Sequence, residues 1–478
     1  MYKNDVNKVS NIARIANFAK FVDSIFKNKI TKDTGIIYLL EYNSKILKKL
    51  PSNIYNYYIH NKDNYNDGDI AYLSSKTNNR TVCLVFYGRN KYHTITQELG
   101  ALISSKVKNI NWKVVDKNNI KNIKEFYLGW GLAQYKFSNI NNYKSIILDS
   151  YNHKVICNFL VAIFYGKELI NIPSSSMGPD ALEDTFINFG DYHNAKVKII
   201  KEIDIKNKFP LIYAVGKGSI EKPRLLELNW GNKKYPLITL VGKGVCFDTG
   251  GLDLKPSQFM RNMKKDMGGA ASILSLTHLI IANKLKVNLK VLIPTVNNDI
   301  GPSSMRPGDV FNSKKGITVE IGNTDAEGRL ILADTLSYAD TFKPKLLIDF
   351  ATLTGAARVA LGPDLPAFFT NSESIAKKLD SICILEKDPM WRLPLYTPYE
   401  KWLNSDVADT NNISAGSFAG SVVAALFLNK FINFKTNWIH VDTYAWNDKS
   451  IPGKSKGGHI MGIKSIYKLI QYHINNLY

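Results

Sequence analysis

The octapeptide NTDAEGRL, residues 323–330, holds an aspartate, a glutamate and an arginine within five positions. Charges that lie so close together are either solvated or bound to a ligand. Thr324 and Glu327 also fit a capping box, Thr-x-x-Glu before an apolar helical run, which would give the stretch a purely structural role. Taken alone, the pattern leaves a helix cap and a ligand site both open.

Two further charged clusters lie upstream, each beside an apolar run. The stretch 241–256 contains Lys243, Asp248 and Lys255, and the stretch MKKDMGG contains Asp266. Each also suits a structural role, because the paired glycines of the first cluster fit a turn and Asp266 fits the N-cap of the helix that follows. Lys243, however, directly follows the apolar run ITLVG, where a lysine is costly unless it is paired or neutralised.

Together the clusters favour a metal site. Four carboxylates that converged at one edge of a sheet would repel one another, so positive charge must offset them, and two divalent cations would balance them. A ligand set of carboxylates and an amine, without His or Cys, suits zinc, manganese or magnesium, and two-metal sites are common in hydrolytic chemistry. Asp325 and Glu327 are two positions apart, so extended backbone points both to one side.

The elements that position these residues alternate between β-rich and helical runs after Pro210. Runs such as LITLVGKGVCF and KLLIDFATLTG are separated by helical stretches such as GGAASILSLTHLIIANKL. This alternation favours a largely parallel sheet covered by helices on both faces, in which ligands bind outside the carboxyl ends of the strands. All three charged clusters lie where a strand gives way to a loop or a helix.

The first third of the chain predicts a separate α/β domain. Residues 68–88 indicate two strands around a turn at Thr77-Asn78-Asn79, and residues 94–106 have helical spacing. The Asn-rich stretch SNINNYKS indicates a boundary near residue 145. We therefore predict an N-terminal domain of residues 1–145 and a catalytic domain of residues 146–478 that includes a connecting helix at about 151–169.

Composition excludes several classes of protein. The 478 residues are 45% hydrophobic and 22% charged, as in a soluble globular protein, and the longest apolar run, at Phe159, is too short to cross a bilayer. We find no secretory signal and expect a cytoplasmic protein without a membrane partner.

The four cysteines are scattered along the chain, which favours reduced thiols. The net charge of +21 admits DNA as a partner, because residues 1–150 hold 23 Lys and Arg against 11 Asp and Glu.

In their order and spacing, VGKGVCFDTGG, KKDMGGAA, NTDAEGRL and ATLTGA resemble the leucyl aminopeptidase (cytosol aminopeptidase) family of dinuclear metallopeptidases. NTDAEGRL is a highly specific signature of that family, and the resemblance runs from about Glu168 to the C-terminal region. The first 145 residues resemble it loosely, mainly through LGWGLAQYKF. The resemblance implies a smaller N-terminal α/β domain joined by a helix to a larger α/β/α sandwich catalytic domain. The sheet would be mixed and mostly parallel, and the assembly a homohexamer.

The resemblance also implies a role for each charged motif residue. Asp248 and Glu327 would bridge two divalent metal ions, zinc or manganese. Lys243 and Asp266 would complete the tighter site, and Asp325 the more exchangeable one. As a ligand, Lys243 would have to be neutral.

Further positions match the catalytic and substrate-binding residues of the family. Lys255 and Arg329 match its two catalytic positions, and bicarbonate bound at Arg329 would shuttle the proton. Thr352 and Leu353 match positions beside the bound substrate, and Met263 matches a wall of the apolar pocket for its first side chain. Two histidines, His278 and His440, are interpreted as packed rather than catalytic. Tyr444 and Trp446 are departures, since many relatives have small residues there.

The predicted function is hydrolysis of the N-terminal residue of peptides, preferably apolar and leucine-like, by a water that two metal ions activate. Lys255 would stabilise the oxyanion. Three alternatives stay open: a dipeptidase for small thiol dipeptides such as Cys-Gly, an additional DNA-binding role, and a catalytically silent scaffold. No nucleotide-binding glycine loop, HExxH or GxSxG motif is present.

Overall fold

The computed structural model describes residues 14–27, 29–74, 80–91, 94–115, 122–137, 143–147 and 150–475. The turn predicted at Thr77-Asn78-Asn79 lies outside these residues. The chain divides into a smaller unit of Ala16–Phe164 with Asp448–Lys456 and a larger unit that includes Tyr165–Asn447 and Gly457–Tyr478. The domain boundary between residues 145 and 146 stays a prediction. No helix in the described part of the chain has both the length and the apolar character needed to cross a bilayer.

The smaller unit is built on a six-stranded sheet. Its strands are β1 Phe26–Lys27, β2 Gly35–Glu41, β3 Ile70–Ser74, β4 Thr81–Tyr87, β5 Trp112–Val114 and β6 Ile146–Ile147, in the order β1-β6-β5-β2-β4-β3. The pairs are parallel except β3 with β4, so the two strands predicted within residues 68–88 are confirmed. The helices are α1 Ile15–Ile25, α2 Ser52–Asn61, α3 Gln97–Lys106 and α4 Ile123–Leu132, with 3-10 helices at Lys45–Lys49 and Lys62–Asn64.

Close packing of α3 against α4 explains the first glycine of LGWGLAQYKF, Gly129. A Cβ atom added to Gly129 would lie 1.8 Å from the carbonyl oxygen of Gln97, and one added to Gly100 would lie 2.1 Å from that of Phe126. Any larger residue would force the two backbones apart. The motif in the first third therefore has a packing reason.

The larger unit contains a nine-stranded sheet and two small ones. Its strands are β7 Lys196–Lys201, β8 Arg224–Gly231, β9 Leu237–Gly242, β10 Gly244–Asp248, β11 Asn288–Asn298, β12 Val310–Asn312, β13 Thr318–Glu320, β14 Leu346–Ala351, β15 Ala367–Thr370, β16 Trp391–Arg392, β17 Thr410–Asn411, β18 Trp438–Asp442, β19 Trp446–Asn447 and β20 Gly457–Gly458. The large sheet has the order β16-β15-β18-β14-β9-β11-β8-β7, and β10 pairs with β11. Strands β18, β14, β9 and β11 are parallel. Strand β8 runs antiparallel to both of its neighbours, and β15 is antiparallel to β18 but parallel to β16, which confirms a mixed, mostly parallel sheet.

Helices complete the α/β/α sandwich. They are α5 Ser150–Asn171, α6 Pro179–Tyr192, α7 Glu202–Lys208, α8 Pro210–Gly216, α9 Ser257–Met260, α10 Gly268–Ala282, α11 Glu327–Asp340, α12 Gly355–Leu361, α13 Glu373–Glu386, α14 Gly420–Asn429 and α15 Ile463–Asn475, with 3-10 helices at Met263–Met267 and Thr397–Leu403. Helix α5 covers the residues predicted for the connecting helix. The buried side chains of α11, among them Leu330 and Leu336, share one core with Val241, Leu292 and Leu347 of the sheet.

Two buried histidines meet in this unit. His278 of α10 and His193, which follows α6, are 3% and 8% exposed, and His278 Nδ1 lies 3.1 Å from His193 Nε2. Burial lowers the pKa of His193 to about 4 and that of His278 to about 3, so both rings are neutral at pH 7. His278 is therefore a packed residue, as the sequence predicts.

Acid should destabilise the protein through this pair. Below the ordinary histidine pKa of 6.5 the unfolded chain takes up protons at these rings, whereas the folded chain does so only near pH 4 and below. Stability present above pH 6.5 is thus lost as the pH falls, by about 2 kcal/mol per histidine at pH 5. Urea unfolding at pH 7 and pH 5 measures this loss.

The control is the double variant His193→Gln, His278→Gln. It should lose less stability than the parent chain between pH 7 and pH 5, because glutamine does not titrate. Equal losses in both proteins would show that the pair does not sense pH.

Candidate metal centre

The charged clusters meet at the carboxyl ends of parallel strands. Lys243 follows the last residue of β9, Asp248 ends β10, and Thr352 follows the last residue of β14. Because these strands run in one direction, their carboxyl ends lie at one edge of the sheet. Glu327 begins α11 at the same edge, and Asp266 lies in the 3-10 helix Met263–Met267.

Two lysines bring the four carboxylates together. Lys243 Nζ lies 2.6 Å from Asp266 Oδ2 and 2.9 Å from Glu327 Oε1. Lys255 Nζ lies 2.7 Å from Asp248 Oδ2 and also contacts the carboxylate of Asp325. The structure thus brings together every residue that the sequence predicts as a metal ligand, and Lys255 with them.

Gly328 in NTDAEGRL makes room for this arrangement. A Cβ atom there would lie 2.5 Å from Lys243 Cε and 2.7 Å from Lys243 Nζ. A side chain at this position would therefore push the ammonium away from Asp266 and Glu327. The glycine between the motif's glutamate and arginine thus has a direct steric reason.

The carboxylate oxygens fit a divalent cation. Asp248, Asp325 and Glu327 each offer one carboxylate oxygen, and these oxygens lie within 4.8 Å of one another. Among the described residues, Asp266 Oδ2, Asp325 Oδ1 and Glu327 Oε1 are buried without a well-formed hydrogen bond, so their contacts with the lysines are ion pairs only. Buried oxygens of this kind suit hard or borderline metal ions.

Crowding of like charge shows in the pKa values. Burial and the charge of Asp248 raise the pKa of Glu327 to about 8 and that of Asp325 to about 6. Burial lowers the pKa of Lys243 and Lys255, but the surrounding carboxylates outweigh it and raise both above the usual lysine value. The two ammonium groups therefore supply positive charge to the carboxylates around them.

Neither predicted helix cap forms. Helix α11 has Ala326 as its N-cap without a side-chain bond, and Thr324 Oγ1 instead donates to Gly250 O at 2.6 Å. The N-cap of α10 is Met267, and Asp266 Oδ1 accepts a hydrogen bond of 2.8 Å from Thr352 Oγ1. Contacts between distant segments thus override the local capping patterns. The turn at the paired glycines does form, with φ of +90° and +67°.

Two asparagines that the sequence analysis missed hold the cluster in place. Asn298 Nδ2 donates to Asp248 Oδ1 at 2.8 Å and to Thr324 O at 3.1 Å, which joins two of the charged clusters. Asn412 Oδ1 accepts from Gly322 N–H at 2.8 Å. Asn298 is the last residue of a buried strand, so the strand-end pattern that revealed Asp248 could also have revealed it.

Arg329 is held beside the cluster with an unused donor. It is 8% exposed, and its Nη1 donates to Asn412 O at 2.6 Å. Within the described residues, its buried Nε has no hydrogen-bond partner. Burial lowers its pKa to about 10, so the group stays charged at neutral pH. A buried, charged guanidinium with a free N–H suits a small planar anion.

The predicted substrate-contacting residues adjoin the cluster. Thr352 O accepts a hydrogen bond of 3.0 Å from Lys243 Nζ, and Leu353 N–H donates to Asp442 Oδ1 at 3.0 Å. Met263 is half-buried in the same 3-10 helix as Asp266. His440 is fully buried in the sheet, as the sequence predicts, with its Nδ1 2.5 Å from Asp349 Oδ1.

Known proteins share this fold and these motifs. Residues 164–467 match the catalytic domain of the cytosol aminopeptidase family. A probable cytosol aminopeptidase of Rickettsia canadensis is 39% identical over 316 residues, 65% of this chain and 63% of that protein. One of Phytoplasma mali is 36% identical over 392 residues, 75% and 78% of the two chains. The crystal structure of cytosol aminopeptidase from Coxiella burnetii is 36% identical, covers 94% of this chain and 100% of its own, and has a TM-score of 0.87.

The larger unit therefore has the fold of a peptidase catalytic domain. The chain belongs to the cytosol aminopeptidase family, a family of metal-dependent hydrolases, as its motifs predict. The matched stretch spans less than two thirds of the Rickettsia canadensis protein, at 63% of its length.

Metal should stabilise the folded chain through the carboxylate cluster. A cation that binds only the folded state raises the free energy of unfolding, by about 2.7 kcal/mol at a hundredfold excess over Kd. We expect manganese or zinc to raise the melting temperature, a chelator to reverse the rise, and calorimetry to count two ions per chain. Asp248→Asn should remove most of the effect.

The matched control is Glu373→Gln, which removes the exposed carboxylate that forms an ion pair with Arg392 at the start of α13. This variant should respond to metal as the parent chain does. An Asp248→Asn protein with an undiminished thermal shift and two bound ions would contradict the assignment of the cluster.

Proposed function

We propose that this protein is an aminopeptidase that hydrolyses the N-terminal residue of peptides with water activated by two metal ions. The observation that carries the proposal is the convergence of four carboxylates around Lys243 and Lys255 at the carboxyl edge of the sheet, namely those of Asp248, Asp266, Asp325 and Glu327. Family membership supports it, since the relatives from Rickettsia and Phytoplasma bear the name probable cytosol aminopeptidase.

In this proposal the cluster holds two divalent ions, zinc or manganese. Asp248 and Glu327 would serve both ions, Lys243 and Asp266 would complete one site, and Asp325 the other. Bound there, the ions would supply Lewis-acid activation of water and of the scissile carbonyl. Lys243 must give up its proton to become a ligand, and a neighbouring dication would favour this loss. The site would also hold the free amine of a peptide, which would restrict removal to the first residue.

Lys255 would stabilise the developing oxyanion. Its ammonium contacts two of the carboxylates, and its side chain is 13% exposed, so it reaches the rim of the cluster. From this position the ammonium would reach the substrate carbonyl while it keeps its charge, with Asp248 and Asp325 serving as metal ligands. One well-placed donor of this kind contributes about 3–4 kcal/mol to the transition state.

Arg329 would hold the group that moves the proton. The two histidines of the catalytic domain considered as bases, His278 and His440, are buried in contacts with His193 and Asp349. The free Nε of Arg329 offers a second donor beside Nη1, so bicarbonate could bind there and pass a proton from water to the leaving amine.

The first-residue preference is proposed from three side chains. Met263 would form an apolar wall of the pocket, and Thr352 and Leu353 would lie beside the substrate. Leucine-like residues are therefore the expected substrates. A panel of substrates that includes Cys-Gly separates this enzyme from the alternative dipeptidase, which would prefer that dipeptide over Leu-Gly.

The DNA-binding role rests only on the excess of basic over acidic residues within residues 1–150.

Removing the proposed catalytic groups should abolish activity in a metal-loaded protein. We expect release of leucine from a Leu-anilide to fall by about a hundredfold or more in Lys255→Ala, because the oxyanion loses its donor. Asp325→Asn should fall similarly through loss of a metal ligand, and Arg329→Ala should lose any stimulation by bicarbonate. Steady-state kinetics with and without added bicarbonate measures all three.

Lys377→Ala is the matched control, because Lys377 is exposed on α13. It should keep the parental rate. A folded parent chain that binds two metal ions and releases no N-terminal residue from any unblocked peptide would end the aminopeptidase proposal.

Assembly and location follow from the same proposal. We expect a homohexamer, and the name cytosol aminopeptidase borne by the relatives agrees with a cytoplasmic location. Light scattering of the purified protein should give six times the mass of one chain. A monomer at micromolar concentration, with activity retained, would show that the chain does not need the hexamer.

A further inference from the structure

Thr352 contacts two of the residues that are proposed to hold one metal ion. Its hydroxyl Oγ1 donates to Asp266 Oδ1 at 2.8 Å and to Asp266 O at 3.0 Å. Its backbone carbonyl accepts a hydrogen bond of 3.0 Å from Lys243 Nζ. Thr352 follows β14, Lys243 follows β9, and Asp266 lies in a 3-10 helix, so these contacts join three separate segments of the chain.

The contact with Asp266 determines which carboxylate oxygen is left for a cation. Oδ1 is engaged by the Thr352 hydroxyl, whereas Oδ2 lies 2.6 Å from Lys243 Nζ. Among the described residues, this Oδ2 is buried without a well-formed hydrogen bond. Because the same hydroxyl also contacts the backbone carbonyl of Asp266, rotation of the carboxylate would break the arrangement. The Asp266 carboxylate is therefore held in one orientation, with Oδ2 towards Lys243.

The contact with Lys243 restricts the second ligand. Lys243 is 3% exposed, and its nitrogen donates to the carbonyl of Thr352. A carbonyl oxygen accepts an N–H from a charged or a neutral amine, so this hydrogen bond is compatible with the loss of the proton that ligation requires. Hydrogen bonds that orient metal ligands in this way contribute about tenfold to a hundredfold to metal affinity.

The ligand that is proposed for the other site alone lacks such support. The Asp325 side chain is 35% exposed, and within the described part of the chain its Oδ1 forms an ion pair with Lys255 and no well-formed hydrogen bond. Asp266, in contrast, is 3% exposed and bonded to Thr352. A ligand that is already fixed loses less conformational freedom when a cation binds. The site of Lys243 and Asp266 should therefore bind more tightly.

We propose that Thr352 is a positioning residue whose hydroxyl makes the site of Lys243 and Asp266 the tighter of the two metal sites. This inference rests on the proposed aminopeptidase function, and it assigns the hydroxyl to a metal ligand rather than to the substrate. Burial agrees with this role, because Thr352 is 6% exposed. The residue would still lie beside the substrate, with its hydroxyl turned to Asp266.

The test removes the hydroxyl and measures metal binding without substrate. Thr352→Ala lacks the hydroxyl, whereas Thr352→Ser keeps it, and both lose the same methyl group. Each change is made together with Asp325→Asn, so that only the site of Lys243 and Asp266 should hold an ion. We expect calorimetry with manganese to give a Kd about tenfold to a hundredfold higher for Thr352→Ala than for Thr352→Ser. Equal Kd values would overturn the proposal.

Thr443→Ala is the matched control. Thr443 follows β18 as Thr352 follows the neighbouring parallel strand β14, and it is 4% exposed. Its Oγ1 is buried without a hydrogen-bond partner among the residues that the structure describes, so the change removes packing but no hydrogen bond. In the same Asp325→Asn background it should keep the metal Kd. A rise in Kd as large as that of Thr352→Ala would show a general loosening of the site and overturn the role of Thr352.

Two further measurements test the selectivity and the substrate contact. With Asp325 intact, Thr352→Ala should weaken the tighter of two manganese sites more than the weaker one, and equal weakening of both would overturn the selectivity. At saturating manganese, the KM of Thr352→Ala for Leu-anilide should return to the parental value. A raised KM with an unchanged metal Kd would place the hydroxyl at the substrate and overturn the proposal.

Failure of this inference is distinguishable from failure of the proposed function. If the parent chain binds two ions but releases no N-terminal residue, the aminopeptidase proposal fails, and the comparison of Thr352→Ala with Thr352→Ser still decides the role of the hydroxyl. A parent chain that binds no metal ion would overturn both proposals.

Discussion

Mutual repulsion among four carboxylates is the constraint on which the catalytic domain depends. Asp248, Asp266, Asp325 and Glu327 meet at one sheet edge, and Lys243 and Lys255 each ion-pair with two of them. Burial and the repulsion from Asp248 raise the pKa values of Glu327 and Asp325 above the usual carboxylate range. Without compensating cations, this part of the chain could not stay folded in the ionised form. The surrounding strands and helices hold these charged side chains at fixed positions.

The positions of the charged side chains depend on the parallel strands, on one glycine and on one asparagine. Parallel strands bring Lys243, Asp248 and Thr352 to one edge, and Gly328 leaves the space that the Lys243 side chain occupies. The amide of Asn298 then fixes the Asp248 carboxylate. In the proposal, neither Gly328 nor Asn298 contacts metal or substrate. Each of them sets the position of a side chain that would do so. A fold that placed its strands correctly but filled Gly328 would lose the centre.

The residues that the sequence could predict are those whose signal is local. NTDAEGRL and the other motifs identify the charged positions, and strand–helix alternation identifies the parallel sheet. The capping interpretations of Thr324 and Asp266 were wrong, because hydrogen bonds to Gly250 and Thr352 replaced the caps. The contacts of Thr352 with both Lys243 and Asp266 had no such signal, since they depend on three segments that meet only in the folded chain.

The two lysines also hold the carboxylates of the cluster together. The Nζ of Lys243 is close enough to Asp266 and Glu327 to neutralise them, so these carboxylates are gathered at one point. In the proposal, Lys243 must lose its proton to become a metal ligand, and metal affinity should then fall with acidity. Lys255 differs in the proposal, because it would keep its charge and face the substrate. One charge cluster would thus use its two lysines in succession, one for binding and one for catalysis.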